Sequence, residues 1–215
     1  MEILLVSNMY PSEQFPSYGV FVRNIEVRLS ESSVGVDKCV LTKKTGRGSK
    51  LIGYARFFGQ AFFKYHFKRY DLVYVHYIAH SFVPLLLSAF HRKNKILLHV
   101  HGGDVLRQKE VSRWYFWLKW TVVKQALRRA DGVVVPSRYY RDLLVHRFGV
   151  EKELVSVVAS GGIDLSLFRP GAGSESSGFT IGYVGRLDHG NGVETLLRAI
   201  ASVSTDLGDF HCIVV

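Results

Sequence analysis

Short, nearly unbroken apolar runs alternate along this chain with longer stretches in which apolar residues recur every three or four positions. The runs at residues 3–7, 38–41, 72–76, 95–99, 132–136 and 155–158 predict buried strands. The periodic stretches at 20–29, 51–70, 82–90, 112–129 and 139–147 predict helices. Strands apolar on both faces and separated by helices imply a parallel, Rossmann-like sheet with helices on both sides, an α/β fold. Ligands of such sheets gather outside the C-terminal ends of the strands. The segments that follow Ser7, His99 and Val135 are therefore where a site is expected.

Beyond residue 158 the pattern changes. Ser160-Gly-Gly-Ile-Asp-Leu-Ser-Leu-Phe-Arg-Pro170 reads as a strand end, a glycine turn and a hinge closed by a proline. A second buried strand is expected at 180–184, within Ile181-Gly-Tyr-Val-Gly-Arg-Leu187, followed by a helix at 193–203 with Leu196, Leu197 and Ile200 on one face. A strand, a Gly-Arg loop and a helix start together suit a phosphate: backbone N–H groups and the positive helix end face the anion, and the arginine adds a bidentate donor. The expected organisation is one domain over 1–165, a linker over 166–178, and the beginning of a second Rossmann-like domain over 179–215.

Three loops carry candidate chemistry. The loop at 8–19 lacks Gly-x-Gly-x-x-Gly, which argues against a nicotinamide site. Gly19 at its end either lets helix N–H groups face a diphosphate or merely caps the helix. In His101-Gly-Gly-Asp104 two glycines allow close backbone approach to a ligand, and both flanking residues titrate. Asp104 could hold an acceptor hydroxyl or cap the next helix. His99, still inside its strand, reads as structural. Ser137 is either an N-cap or a ligand contact.

The pair of segments at 160–170 and 181–187 resembles the signature of retaining glycosyltransferases of family 4, which have the two-domain GT-B fold. In that family an Asn-Gly-Val-Asp-x-x-x-Phe-x-Pro segment joins the domains, and a Gly-Arg-Leu-x-x-x-Lys-Gly segment opens the donor-sugar domain. The resemblance implies a hexosyltransferase-type enzyme that moves a sugar from a nucleotide-sugar co-substrate to a glycan or lipid-linked acceptor. It implies retention of configuration, no metal and no further cofactor. It makes the first domain the acceptor side, with His101 facing the transferred sugar and Asp104 and Ser137 nearby. It places Gly19, Gly185, Arg186 and Asn191 at the donor diphosphate, Arg186 being catalytic with His101. Asn191 stands where the family has lysine, so one cation of the usual clamp is missing, and His189 could partly replace it. Family members continue well beyond the position of Val215, and their later acidic donor motif should lie downstream. The expectation is thus a front half that is inactive alone. The alternative is a non-catalytic, basic, membrane-associated α/β binding module; a sugar-nucleotide epimerase would need carboxylate bases that cannot be placed here.

Composition narrows the partners. At 47% hydrophobic and 21% charged residues the chain can build a core, and no apolar run reaches the roughly 20 residues that span a bilayer. Its start reads as a buried strand, not as a signal peptide. Cys39 and Cys212 lie in apolar strands and are expected as free, buried thiols in a reducing, cytoplasmic setting. The formal net charge is +10, and the nine Lys and Arg between Asp37 and Asp71 have no acidic residue among them. Arg56, Gln60, Lys64 and Lys68 form an i, i+4 stripe beside Phe57, Phe58, Phe62, Phe63 and Phe67. A second aromatic group, Trp114 to Trp120, opens a later helix. Both groups are either core beneath a solvated basic face or a surface for an anionic membrane, where each Lys or Arg contributes about 1 kcal/mol. No nucleic-acid motif accompanies the charge, so nucleic acid is not expected as a partner.

Overall fold

The computed structural model describes residues 1–86, 94–106, 112–159, 165–166, 168–169, 179–185, 187, 191–203, 208 and 210–215. The chain divides into two units, Met1–Gly162 and Ile163–Val215.

The first unit is a six-stranded parallel sheet. In chain order it runs β1 (Glu2–Tyr10), α1 (Val20–Glu31), β2 (Gly35–Thr42), α2 (Arg47–Phe67), β3 (Leu72–His76), α3 (Ile78–Ser81), α4 (Val83–Leu86), β4 (Lys95–His99), α5 (Arg113–Leu127), β5 (Gly132–Val135), α6 (Arg138–Phe148) and β6 (Val155–Val157). The strand order is β2-β1-β3-β4-β5-β6, so the chain leaves β1 toward one edge and returns on its other side at β3. That reversal makes the crevice between the ends of β1 and β3 the topological switch point, the usual ligand position in an open α/β sheet.

Alternation along the strands builds two apolar layers. Leu4, Val6, Val73, Val75, Ile96 and Leu98 point to one face and form the main core with Phe57 and Ala61 of α2, Leu85 of α4, Val123 and Ala126 of α5, and Leu144 of α6. Ile3, Leu5 and Tyr74 point to the other, against Val22 of α1. Helices therefore lie on both faces, as the apolar strand pattern implies.

Local chemistry explains several boundaries. Ser112 caps α5, its hydroxyl accepting from the N–H of Tyr115 at 3.4 Å. Gly149 ends α6 in the left-handed conformation, φ 68°. Within the helix expected at 82–90, α4 covers 83–86, and residues 87–93 lie outside the described residues; a further short helix, α3, precedes it with Phe82 between them. Pro84 has no N–H with which to carry the helical ladder across that junction.

The second unit holds a parallel strand pair, β7 (Phe179–Tyr183) and β8 (Phe210–Val214), joined through α7 (Val193–Val203). Cys39 on β2 is buried, and burial pushes its thiol up to about 11. Cys212 on β8 is exposed, which corrects the expectation of two buried thiols. A two-stranded sheet with one helix leaves most of β8 uncovered. No helix among the described residues is long and apolar enough to cross a membrane.

Candidate functional site

The ends of three adjacent strands set the site. Ser7, His76 and His99 lie in register across β1, β3 and β4, so their side chains share one face at the C-terminal edge. His101 follows β4 by two residues and joins the same cluster. Its ring lies 4.4 Å from that of His99 at an interplanar angle of 13°, and 5.4 Å from that of His76 at 23°. The Nδ1 of His76 and the Nε2 of His101 are hydrogen-bonded at 3.1 Å, and the hydroxyl of Tyr74 meets Nδ1 of His99 at 2.8 Å. Phe21 of α1 and Tyr77, the residue after β3, place their rings 4.6 and 4.8 Å from His101.

Burial controls the charge of this cluster. Loss of water alone holds His99 down to about 4, and loss of water together with the neighbouring His99 holds His101 down to about 3. His76 lies well below its ordinary value through burial and then through the other two histidines. All three imidazoles are therefore neutral near neutral pH. Their ligand atoms lie within 4.8 Å of one another, a spacing that could admit a metal ion. Two of the nitrogens, Nδ1 of His76 and Nε2 of His101, are already hydrogen-bonded to each other, and a metal ion would have to displace that bond.

The glycine positions show why the loops come this close. Gly19 precedes α1 at φ 74°, and a Cβ there would sit 2.6 Å from the carbonyl carbon of Met9, so no larger residue fits without moving the end of β1. Gly102 has φ 63°, and a Cβ on it would lie 2.6 Å from the Tyr140 hydroxyl. Tyr77 has φ 52° with a full side chain, a strained conformation beside the site.

Asp104 is buried, and its carboxylate oxygens accept from the N–H groups of His101 at 3.2 Å and Ala79 at 3.4 Å. It ties the loop after β4 to the start of α3. Burial raises its carboxyl against the lowering effect of those N–H donors. Ser137 occupies the N-cap of α6 without a side-chain capping bond. Its hydroxyl has no protein partner among the described residues.

Of the residues expected at a site, His101 and Asp104 are hydrogen-bonded to each other, Gly19 packs against the end of β1 two residues before Phe21, whose ring meets His101, and Ser137 stands after β5. Gly185 and Asn191 belong to the second unit. The N–H of Gly185 donates to the carbonyl of Val215 at 2.9 Å, and the Tyr183 hydroxyl donates to the carbonyl of Asn191 at 3.5 Å. Gly192, with φ 77°, precedes α7. Arg186 and His189 lie outside the described residues, as does most of the segment at 160–170. Sequence reasoning missed Phe21, Tyr74, His76 and Tyr77. The signal for His76 was present: it ends its strand as His99 ends the next.

A cavity of about 740 Å³ also opens between β2 and α2, lined by Thr42, Lys44, Ile52, Arg56 and Phe57 among others. The strand β1 separates it from His76.

A sequence profile of Glycosyltransferase Family 4 matches residues 20–167, more than half of the chain. The protein belongs to glycosyltransferase family 4. A search of curated proteins gave no match. The matched span takes in α1 to β6 and therefore Phe21, Tyr74, His76, Tyr77, His99 and His101.

Proposed function

We propose that this glycosyltransferase moves a hexose from a nucleotide-sugar donor to a glycan or lipid-linked acceptor in polysaccharide biosynthesis, with retention of configuration and without a metal. The observation that supports it most directly is the placement of His101, half-buried and neutral, beside the Gly19 turn at the switch point. A neutral imidazole offers a hydrogen bond to a sugar hydroxyl without the desolvation penalty of a cation. Gly19 brings the backbone N–H groups that open α1 within reach of a phosphate. In the second unit, Gly185, Arg186 and Asn191 are assigned to the donor diphosphate on the sequence pattern. A leaving nucleoside diphosphate gains charge as the glycosidic bond breaks, so a guanidinium at Arg186 stabilises the transition state more than the ground state. Asp104 and Ser137 remain acceptor-side candidates, Ser137 through a hydroxyl without a protein partner among the described residues and Asp104 by holding the His101 loop.

The acceptor reading includes a membrane surface. On α2, Leu51, Ile52, Phe63 and Phe67 are exposed, and on α5 Trp114 and Trp117 are exposed; the same helices carry Arg47, Lys50, Arg56 and Arg113. Both helices pack into the same core layer on one face of the sheet. Exposed rings on helices that also carry cations suit an anionic bilayer interface, and the chain's formal net charge of +10 is of the complementary sign.

The test is nucleotide-sugar turnover by the complete gene product, with a panel of donors and a membrane-lipid acceptor fraction. The reading expects acceptor-dependent release of nucleoside diphosphate, a product of retained anomeric configuration by NMR, and a loss on the order of 100-fold in His101→Ala. Absence of turnover with every donor, together with binding to anionic vesicles, would favour the non-catalytic module instead.

A further inference from the structure

We infer that Tyr74 and His76 are positioning residues for His101: Tyr74 and His99 orient His76, and His76 in turn fixes His101 with its proton on Nδ1, so that His101 presents an N–H donor to whatever binds at the switch point. The inference rests on the family reading only for the identity of that ligand; the proton placement follows from the hydrogen bonds together with the buried ring nitrogens that lack a partner among the described residues.

The chain of reasoning starts at the phenol. The Tyr74 hydroxyl has one partner among the described residues, Nδ1 of His99 at 2.8 Å. With no other acceptor among the described residues for its hydrogen, the hydroxyl donates to that nitrogen. A neutral imidazole that accepts at Nδ1 carries its own hydrogen on Nε2. His99 Nε2 and His76 Nε2 are both buried without a hydrogen-bond partner among the described residues. The two rings are 5.0 Å apart. The Tyr74 bond already leaves one N–H, that of His99, without an acceptor; a hydrogen on Nε2 of His76 as well would enclose a second beside it. Buried N–H groups left without a partner are rarer than unpartnered acceptors. The matched arrangement leaves the lone pair on Nε2 of His76 and its hydrogen on Nδ1. That hydrogen then points at Nε2 of His101, 3.1 Å away. His101 accepts there and holds its own proton on Nδ1.

The neighbours fit such a role. His76 is fully buried and cannot itself touch a ligand, whereas His101 is only partly covered. Phe21 and Tyr77 flank the His101 ring, and Asp104 accepts from its backbone N–H. The ring is held in place, and the remaining variable is which nitrogen carries the hydrogen. A donor at Nδ1 suits a sugar or phosphate oxygen; a bare nitrogen there would accept from a sugar hydroxyl but repel an ionised phosphate oxygen.

Histidine tautomers are read directly by long-range 1H–15N correlation spectra of the 15N-labelled protein near neutral pH. The expected result is a single tautomer for each ring: Nδ1–H for His101 and Nε2–H for His99. Tyr74→Phe keeps the ring and removes only the hydroxyl, and it should convert both single tautomers to mixtures. His76→Leu should do the same for His101 alone. His76→Asn, whose amide N–H stands where Nδ1–H stood, should restore the Nδ1–H form. A wild-type His101 protonated on Nε2 would overturn the inference, and so would an unchanged Nδ1–H form in Tyr74→Phe. Tyr74→Phe decides the matter even if His76→Leu does not fold. Because the spectra need no substrate, they separate failure of this inference from failure of the assigned reaction.

Discussion

Two aromatic-rich regions of the first unit use the same residue types to opposite ends. Around His101, the rings of Phe21, Tyr74 and Tyr77 pack against imidazoles and exclude water, which keeps three histidines neutral. Along α2 the rings divide by helical angle: Phe57 is 2% exposed in the core, while Phe63 and Phe67 are 62% and 75% exposed. The basic stripe of α2 divides too. Lys64 and Lys68 pair with Asp37 across to β2, while Arg56 has no ion-pair partner among the described residues. The difference teaches that an aromatic run is not one feature. A ring facing the sheet sets the polarity of its neighbours, and a ring one-third of a turn away offers the same area to a partner.

The sharpest way to break that comparison is within α2. Phe57→Ala should cost about 3–5 kcal/mol of stability in urea unfolding, because it empties a filled position in the core. If it costs no more than Phe63→Ala, the division of the helix into core and surface rings is wrong. Next comes Gly19→Ala, which places a Cβ against the Met9 backbone at a positive φ. It should cost about 1–3 kcal/mol and loosen the end of β1; amide exchange at Asn8 and Tyr10 would show it.

The pH dependence tests the buried side. His76, His99 and His101 have folded values depressed below the ordinary 6.5. Above that value both states are neutral there and these groups contribute no pH dependence. As pH falls below it the unfolded chain takes up protons that the folded chain refuses, so stability declines, and the decline ends for each group only near its folded value. Each histidine adds a slope of roughly 1 kcal/mol per pH unit. Unfolding midpoints between about pH 7 and 5 should fall steeply, and less so in His99→Asn. A flat profile would mean that the cluster is wet. The smallest stability effect belongs to the exposed rings: Phe63→Ala, Phe67→Ala and Trp117→Ala should each change stability by less than about 0.5 kcal/mol. Together they should nevertheless weaken flotation with anionic vesicles at low salt, and undiminished flotation would remove these rings from the membrane surface.

Much of the fold was legible in the chain. Apolar runs marked all six strands of the first unit, and their two-faced character implied parallel pairing. The helix at 193–203 was found at its observed bounds because its apolar stripe is uninterrupted. Near residue 82 the pattern placed a helix start but missed α3 before it, because periodicity carries no sign of the break at Pro84, a residue whose missing N–H acts only locally. The site was legible in part. His101, Gly19 and Asp104 announced themselves through glycines and titratable groups next to strand ends. Tyr74 and Phe21 gave no such sign, since an aromatic in a strand or helix reads as core.

Linear pattern was enough to establish the fold class, the parallel sheet and the edge at which a ligand would sit, because period and strand polarity are properties of neighbouring residues. It was also enough for the family, whose motifs are short and local. Tertiary structure decided which histidines touch, that burial keeps them neutral, and that a tyrosine on β3 meets a histidine on β4. Those facts depend on the register between strands 20 or more residues apart in the chain, Tyr74 against Leu97 and His76 against His99, and no local pattern encodes register.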